Sequence, residues 1–211
     1  MIRKRIKNIL SSVSRNNYKT LNTIEISKKR LIHNFNYIQK KNPEFGLIPV
    51  LKANAYGHGL MQVGEILNGV KCDFIAVDGY FEAAKLLGIT KHRLLVLGYI
   101  LPDNYPLLDT KRCSYVIQDV DSLRSIALTN KPVNVHLEIN TGMNRLGINP
   151  KDITQYLNTI KKYPNLHLEG VMSHLADADN EFDDSFTIKQ VEIFDRSVEI
   201  IKNMGFTPKY I

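Results

Sequence analysis

The chain has 211 residues, of which 44% are hydrophobic and 23% charged, the composition of a soluble globular protein long enough to bury a substantial core. Its net charge of +7 points to nucleic-acid binding only until the charges are located. Arg3, Lys4, Arg5, Lys7, Arg15 and Lys19 fall in the first 20 positions without an acidic residue, and the rest holds 22 basic against 21 acidic residues, so the body is almost neutral and the basic excess is confined to the tail.

The tail, MIRKRIKNILSSVSRNNYKT, has apolar residues too few and too scattered for a secretory signal or a membrane span. Residues 1–21 are expected to form a disordered basic extension. The acid-free, Arg/Ser-rich composition also fits an organellar transit peptide, and electrostatic contact with a membrane or nucleic acid is a further option. Cys72 and Cys113 provide no disulfide framework, which suits a reducing cytoplasm, and each reads as a small buried hydrophobe.

From Thr23 onward short apolar runs alternate with segments of helical period, the pattern of repeated βα units and a parallel sheet. Ser27 can cap a helix with Leu31, Phe35 and Ile38 on one face. Strands are expected at Leu47–Lys52, Phe74–Val77, Arg93–Leu97, Tyr115–Ile117, Val133–Ile139 and Leu166–Ser173. Most are rich in Val, Ile and Leu, as strands covered by helices are. Pro49 fits only at the beginning of its strand or at a bulge. Asn149 and Pro150 supply an N-cap and a first-turn proline for a helix burying Ile153, Leu157 and Ile160. Asp183, Asp184 and Ser185 can start a longer helix, with Val191, Phe194, Val198 and Ile201 toward the sheet, that ends at Gly205.

The fold class is therefore α/β, a (β/α)8 TIM-type barrel that is incomplete. Eight strands close such a barrel, which takes about 250 residues; here there are six, with Pro208–Ile211 beginning a seventh. An unclosed parallel sheet leaves edge groups and apolar surface exposed. The expectation is that the folding unit is longer or is completed by another chain.

Lys52 ends the first apolar run, where barrel enzymes place reacting groups. Its amine can form a Schiff base with an aldehyde cofactor, although a lysine in such a place is more often a solvated flank. In Val133–Ile139 the apolar residues face the helices, while Asn134, His136 and Glu138 alternate with them and point into the barrel. That suggests a hydrogen-bonded network below a site; a strand at the sheet's open edge is the alternative.

Three segments carry a family resemblance. Lys52-Ala53-Asn54-Ala55-Tyr56-Gly57-His58-Gly59 resembles the cofactor-lysine signature of alanine racemases. Thr141-Gly142-Met143-Asn144-Arg145-Leu146-Gly147 and the run from Leu168 to Asp179 are similar to later strand-loop segments of that family, in the right order. The likeness extends from about Thr23 to Ile211 and implies pyridoxal 5'-phosphate as cofactor. It implies that Lys52 bonds the cofactor and acts as one of two bases on the substrate α-carbon. It further implies that Tyr56 donates a hydrogen bond to the phosphate, that Arg145 directs its guanidinium toward the cofactor's phenolic oxygen and the substrate carboxylate, and that His174 lies against the ring. Met143, inside the second run, is counted with the supporting residues. Without the motif, Tyr56 would read as a core-edge tyrosine, Arg145 as a surface arginine in a Gly-rich turn, His174 as structural and His58 as packing locally between its glycines.

Glu138 departs from the best-known family pattern, in which a lysine modified to a carbamate places a negative charge beside the arginine. The hypothesis is that Glu138 supplies that carboxylate directly. The family's second base is a tyrosine from the partner subunit's carboxyl-terminal domain, and no residue here is assigned to that role. The resemblance implies interconversion of L-alanine and D-alanine for peptidoglycan synthesis in the cytoplasm, by a homodimer or with a complementing carboxyl-terminal chain. No metal, nucleic-acid or membrane partner is expected. A non-catalytic cofactor-binding barrel of the pyridoxal-phosphate homeostasis type, or an inactive racemase remnant, are the other readings.

Overall fold

The structure, a computed structural model, describes residues 21–211. The basic tail, residues 1–20, lies outside the described residues, and with it the expectation of a disordered extension or a transit peptide.

Helix α1 (Lys28–Lys41) starts where Ser27 accepts the Arg30 amide at 3.4 Å. Leu31 and Phe35 of α1 pack against the core, whereas Ile38 is half exposed. Then come α2 (Leu60–Leu67), β1 (Phe74–Val77), α3 (Tyr80–Leu87), β2 (Arg93–Val96), a 3-10 segment (Pro102–Leu107), β3 (Cys113–Ile117), α4 (Val120–Ala127), β4 (Val133–Glu138), α5 (Ile153–Lys162), β5 (Leu166–Met172) and α6 (Ser185–Asn203). All five strands pair in parallel in the order β1-β2-β3-β4-β5. Each crossover carries helical structure on the outer face, as a parallel sheet requires.

The expected strand Leu47–Lys52 is reduced to a single parallel bridge, Val50 to Ala76. The Leu51 amide donates to the Ala76 carbonyl at 2.7 Å and the Ala76 amide to the Pro49 carbonyl at 2.8 Å. Pro49 has no N–H to extend the ladder, and at Leu51, with φ −114° and ψ 19°, the backbone has already left the extended region. At the opposite edge Tyr210 bridges Gly170, with the Val171 amide donating to the Tyr210 carbonyl at 2.9 Å. The chain therefore forms a partial barrel whose first and seventh strand positions are one bridge each.

Two apolar clusters lie on the two faces of the sheet. The larger joins the outward residues Ile75, Val77, Leu94, Val96, Val135 and Leu137 to the helices. The smaller, Phe74, Ala76, Leu95 and Val116, lines the barrel interior and is extended by Leu97, Met172 and Tyr210. Ile153, Leu157 and Ile160 of α5 are buried as the helical period predicts, behind an Asn149 cap on the Lys151 amide at 3.1 Å. Helix α6 buries Val198 and Ile201, but Val191 is 43% exposed and the core position one residue earlier is taken by Gln190, which is fully buried. The expected apolar face of α6 is thus rotated at its first turns, because a polar contact there replaces an apolar one. Gly205 closes the helix with φ +85°.

Candidate active site

Beyond Leu51 the chain makes one left-handed helical turn. Ala53, Asn54, Ala55 and Tyr56 have φ between 52° and 56°, a conformation that costs non-glycine residues about 1–2 kcal/mol each. Four such residues in a row persist only where surrounding bonds hold them. The Ala55 amide donates to the Leu51 carbonyl at 2.9 Å and the Gly59 amide to the Asn54 carbonyl at 2.9 Å. The Leu60 amide donates to Asn54 Oδ1 at 2.8 Å, and the Asn54 amide to Glu82 Oε1 at 3.0 Å. Gly57, at φ +84°, and Gly59, at φ +99°, let the chain leave the turn and enter α2. His58 bonds locally, its Nδ1 lying 2.9 Å from the Ala55 carbonyl.

The turn places Lys52, half-buried, and Tyr56, 60% exposed, on the wall of an open cavity of about 810 Å³ inside the partial barrel. His174, two residues beyond β5, lines the same cavity. All three lie past the carboxyl ends of parallel strands, the end at which barrel enzymes build their sites.

Arg145 sits on the loop between β4 and α5. That loop is pinched shut by the Ile139–Ile148 bridge, with the Ile148 amide donating to the Glu138 carbonyl at 2.7 Å. Asn140 Oδ1 accepts the amides of Gly142 at 3.1 Å and Asn144 at 3.0 Å, which shapes the tip and leaves Arg145 exposed. Met143 is half-buried on the same loop. Neither Arg145, Met143 nor Glu138 lines the cavity that joins Lys52, Tyr56 and His174.

Glu138 is buried at the base of this loop, with Gln118 Nε2 at 3.5 Å. Burial raises its carboxyl above the usual range, and the Gln118 contact and the charges of Arg145 and His174 offset only part of that rise. Arg145 acts on Glu138 through its charge; among the described residues no ion pair joins the two.

On the floor of the cavity, which His136 and Tyr210 themselves line, lies a polar network that runs across the barrel. Arg93 Nη1 and Nη2 donate to Glu169 Oε1 and Oε2 at 2.6 and 3.0 Å, a bidentate fork. Ser114 Oγ donates to Glu169 Oε2 at 2.6 Å, and His136 Nε2 lies 3.3 Å from the same oxygen. The His136 ring stacks on Tyr210 at 5.8 Å and meets Phe74 edge-on at 5.6 Å. His136 therefore does point inward, and β4 lies between β3 and β5, so the open-edge explanation for its polar residues is wrong. Gly170 leaves the space the His136 ring needs, since a Cβ there would overlap it.

Nothing in the residue pattern marks Glu169, Arg93 and Ser114 as partners, or Gln190 as part of the site. The Gln190 side chain joins the two loops of the site. Its Nε2 donates to Thr141 Oγ1 at 3.0 Å and to the His174 carbonyl at 3.1 Å, and its Oε1 accepts the Ala176 amide at 2.8 Å. A glutamine within an apolar helix face was the available cue. Among the described residues no cluster of three His, Cys, Asp or Glu could hold a metal ion, and no helix is long and apolar enough to cross a membrane.

A family profile described as alanine racemase, N-terminal domain, matches residues 26–211. An alanine racemase of Geobacter sp. (strain M21) is 36% identical over 200 residues, covering 89% of this chain and 52% of that protein. The crystal structure of alanine racemase from Oenococcus oeni superposes with a TM-score of 0.78 at 27% identity, over 88% of this chain and 54% of that one. Alanine racemase from Bacillus anthracis, solved with bound L-Ala-P, gives 0.78 at 27% identity, over 86% and 48%. The chain spans about half the length of the relatives it matches. With its parallel partial barrel and a lysine at the mouth of the barrel cavity, the chain belongs to the alanine racemase N-terminal domain family.

Proposed function

We propose that this chain binds pyridoxal 5'-phosphate through Lys52 and forms the cofactor-holding half of an alanine racemase. The observation that carries the reading is the meeting of Lys52, Tyr56 and His174 on one cavity wall. Their chemistry fits the group: an amine for its aldehyde, a phenol hydroxyl for its phosphate and an imidazole face for its ring. The cavity, about 810 Å³, is of the size that cofactor sites have.

When bound, pyridoxal phosphate supplies the electron sink for charge left on the substrate α-carbon. Lys52 Nζ then takes or returns the proton on one face of that carbon. Tyr56 Oη would help hold the cofactor by donating a hydrogen bond to its phosphate. Arg145 does not line this cavity; the family resemblance alone assigns its guanidinium, permanently charged and planar, to the substrate carboxylate and the phenolic oxygen, a role a lysine would not fill. Glu138 tunes that guanidinium through its charge. Racemisation also needs a base on the opposite face, and no residue of this chain is assigned to it. That base belongs to the half of the relatives' length this chain does not cover, supplied by a homodimer partner or a complementing chain.

The substrate is a small amino acid, L- or D-alanine, and the cellular role is D-alanine supply for peptidoglycan in the cytoplasm. The test is D-alanine formation from L-alanine by the purified chain with cofactor, alone and after addition of the carboxyl-terminal half of the Geobacter relative. Little turnover alone and a rise on complementation support the reading. Cofactor binding with no rise favours the non-catalytic barrel, and neither binding nor turnover favours an inactive remnant.

A further inference from the structure

The carboxylate of Glu82 accepts two backbone N–H groups from two different strand ends. Oε1 takes the Asn54 amide at 3.0 Å and Oε2 takes the Asp78 amide at 3.1 Å. Asn54 lies inside the left-handed run, and Asp78 directly follows β1. Glu82 itself stands in the first turn of α3, whose N-cap, Gly79, offers no side-chain acceptor. A carboxylate suits this place twice over: it is an acceptor only, with two oxygens for two donors, and a negative charge is favoured at a helix N-terminus.

We propose that Glu82 is a positioning residue for Lys52 and Tyr56, holding the left-handed turn that sets both side chains on the cavity wall. The inference rests on the cofactor reading above. Asn54 is bonded at both ends of the turn, its side chain to the Leu60 amide at 2.8 Å and its own amide to Glu82. The first bond is local to the segment; the second ties it to α3 and, through the shared carboxylate, to the Asp78 amide just past β1. Without the carboxylate the Asn54 amide loses its acceptor, and the run of positive φ relaxes toward the right-handed region that alanine and tyrosine prefer. That rotation carries Tyr56 away from Lys52 without touching either side chain directly. Leucine is the informative replacement, because it keeps a side chain of similar bulk and accepts neither amide.

Two measurements decide the matter, both on the full chain. Without cofactor, amide exchange at Asn54 and Asp78 is expected to quicken about tenfold or more in Glu82→Leu, with β4 and β5 protection unchanged. Wild-type protection at Asn54 in the variant overturns the inference, whatever the cofactor does. With pyridoxal phosphate, the dissociation constant is expected to rise about tenfold in Glu82→Leu. Adding Ala53→Gly should recover most of that loss, because glycine adopts positive φ without steric cost. A purely structural residue would lower protection throughout the chain and leave the folded fraction's affinity unchanged; that result, or no rescue by Ala53→Gly, also overturns it. If the wild-type chain takes up no cofactor, the cofactor reading fails, and the exchange data alone still show whether Glu82 holds the turn.

Discussion

Arg93 on β2 and Glu169 on β5 meet across the barrel interior in a bidentate pair, at 2.6 and 3.0 Å, although 76 residues separate them in sequence. The pair ties together strands that are not neighbours in the sheet and forms the floor under the candidate site. Its carboxylate also accepts from Ser114 and lies 3.3 Å from His136, so removing one partner strands a partly buried charge. Arg93→Leu is expected to destabilise the chain by about 3 kcal/mol, whereas replacing both Arg93 and Glu169 by apolar residues should cost less. Chemical denaturation of the single and double variants measures the difference.

The same carboxylate makes stability depend on acid. Burial pushes the Glu169 carboxyl up, but the bonds from His136, Arg93 and Ser114 and the Arg93 charge outweigh it and hold it at about 2, against an ordinary 4.5. A depressed carboxyl contributes stability that is fully present above pH 4.5 and lost as the pH falls through about 2. Unfolding free energies measured from pH 6 downward should therefore fall steeply in the wild type. In Glu169→Gln that part of the slope should disappear.

Glu138 has the opposite sign. Burial is the main cause of its raised carboxyl, so its contribution is best below the ordinary value of 4.5 and declines as the pH rises through its elevated one. Glu138→Gln should gain stability relative to wild type at pH 7 and little at pH 4, read from thermal midpoints at the two pH values. The gain should come with weaker substrate carboxylate binding if the Glu138 charge tunes Arg145.

Gly170 is a packing constraint. A methyl group there would run into the His136 imidazole, which is itself stacked on Tyr210 and edge-on to Phe74. Gly170→Ala should cost about 1–3 kcal/mol and loosen the Tyr210 edge, where the seventh strand position begins. Denaturant titration gives the first quantity, and amide exchange at Val171, whose N–H donates to the Tyr210 carbonyl, gives the second.

Much of this was legible in the residues. The alternation from Val133 to Ile139 gave both the strand and its inward polar face, because period-two patterning fixes which side chains share a side. The eight-residue run at Lys52 pointed to the family, since its unusual composition identifies the segment without any knowledge of its shape, and the structure sets Lys52 in the lining of the barrel cavity. The shape itself was hidden. Ala53, Ala55 and Tyr56 have no propensity for positive φ, and the bonds that hold them there come partly from Glu82, 28 residues away from Asn54. The Arg93–Glu169 pair was hidden for the same reason, as neither residue carries a local sign of a distant partner. Val191 misled because periodicity assigns a face to apolar residues alone, whereas Gln190 took the core position by satisfying Thr141, His174 and Ala176.

The most direct test is chemical capture at one side chain. The purified chain is incubated with pyridoxal phosphate, reduced with borohydride, digested and mapped by mass spectrometry. The account predicts a single stoichiometric pyridoxyl modification on the peptide containing Lys52, lost in Lys52→Ala. No modification there, or the same labelling spread over surface lysines and unchanged in Lys52→Ala, would contradict it.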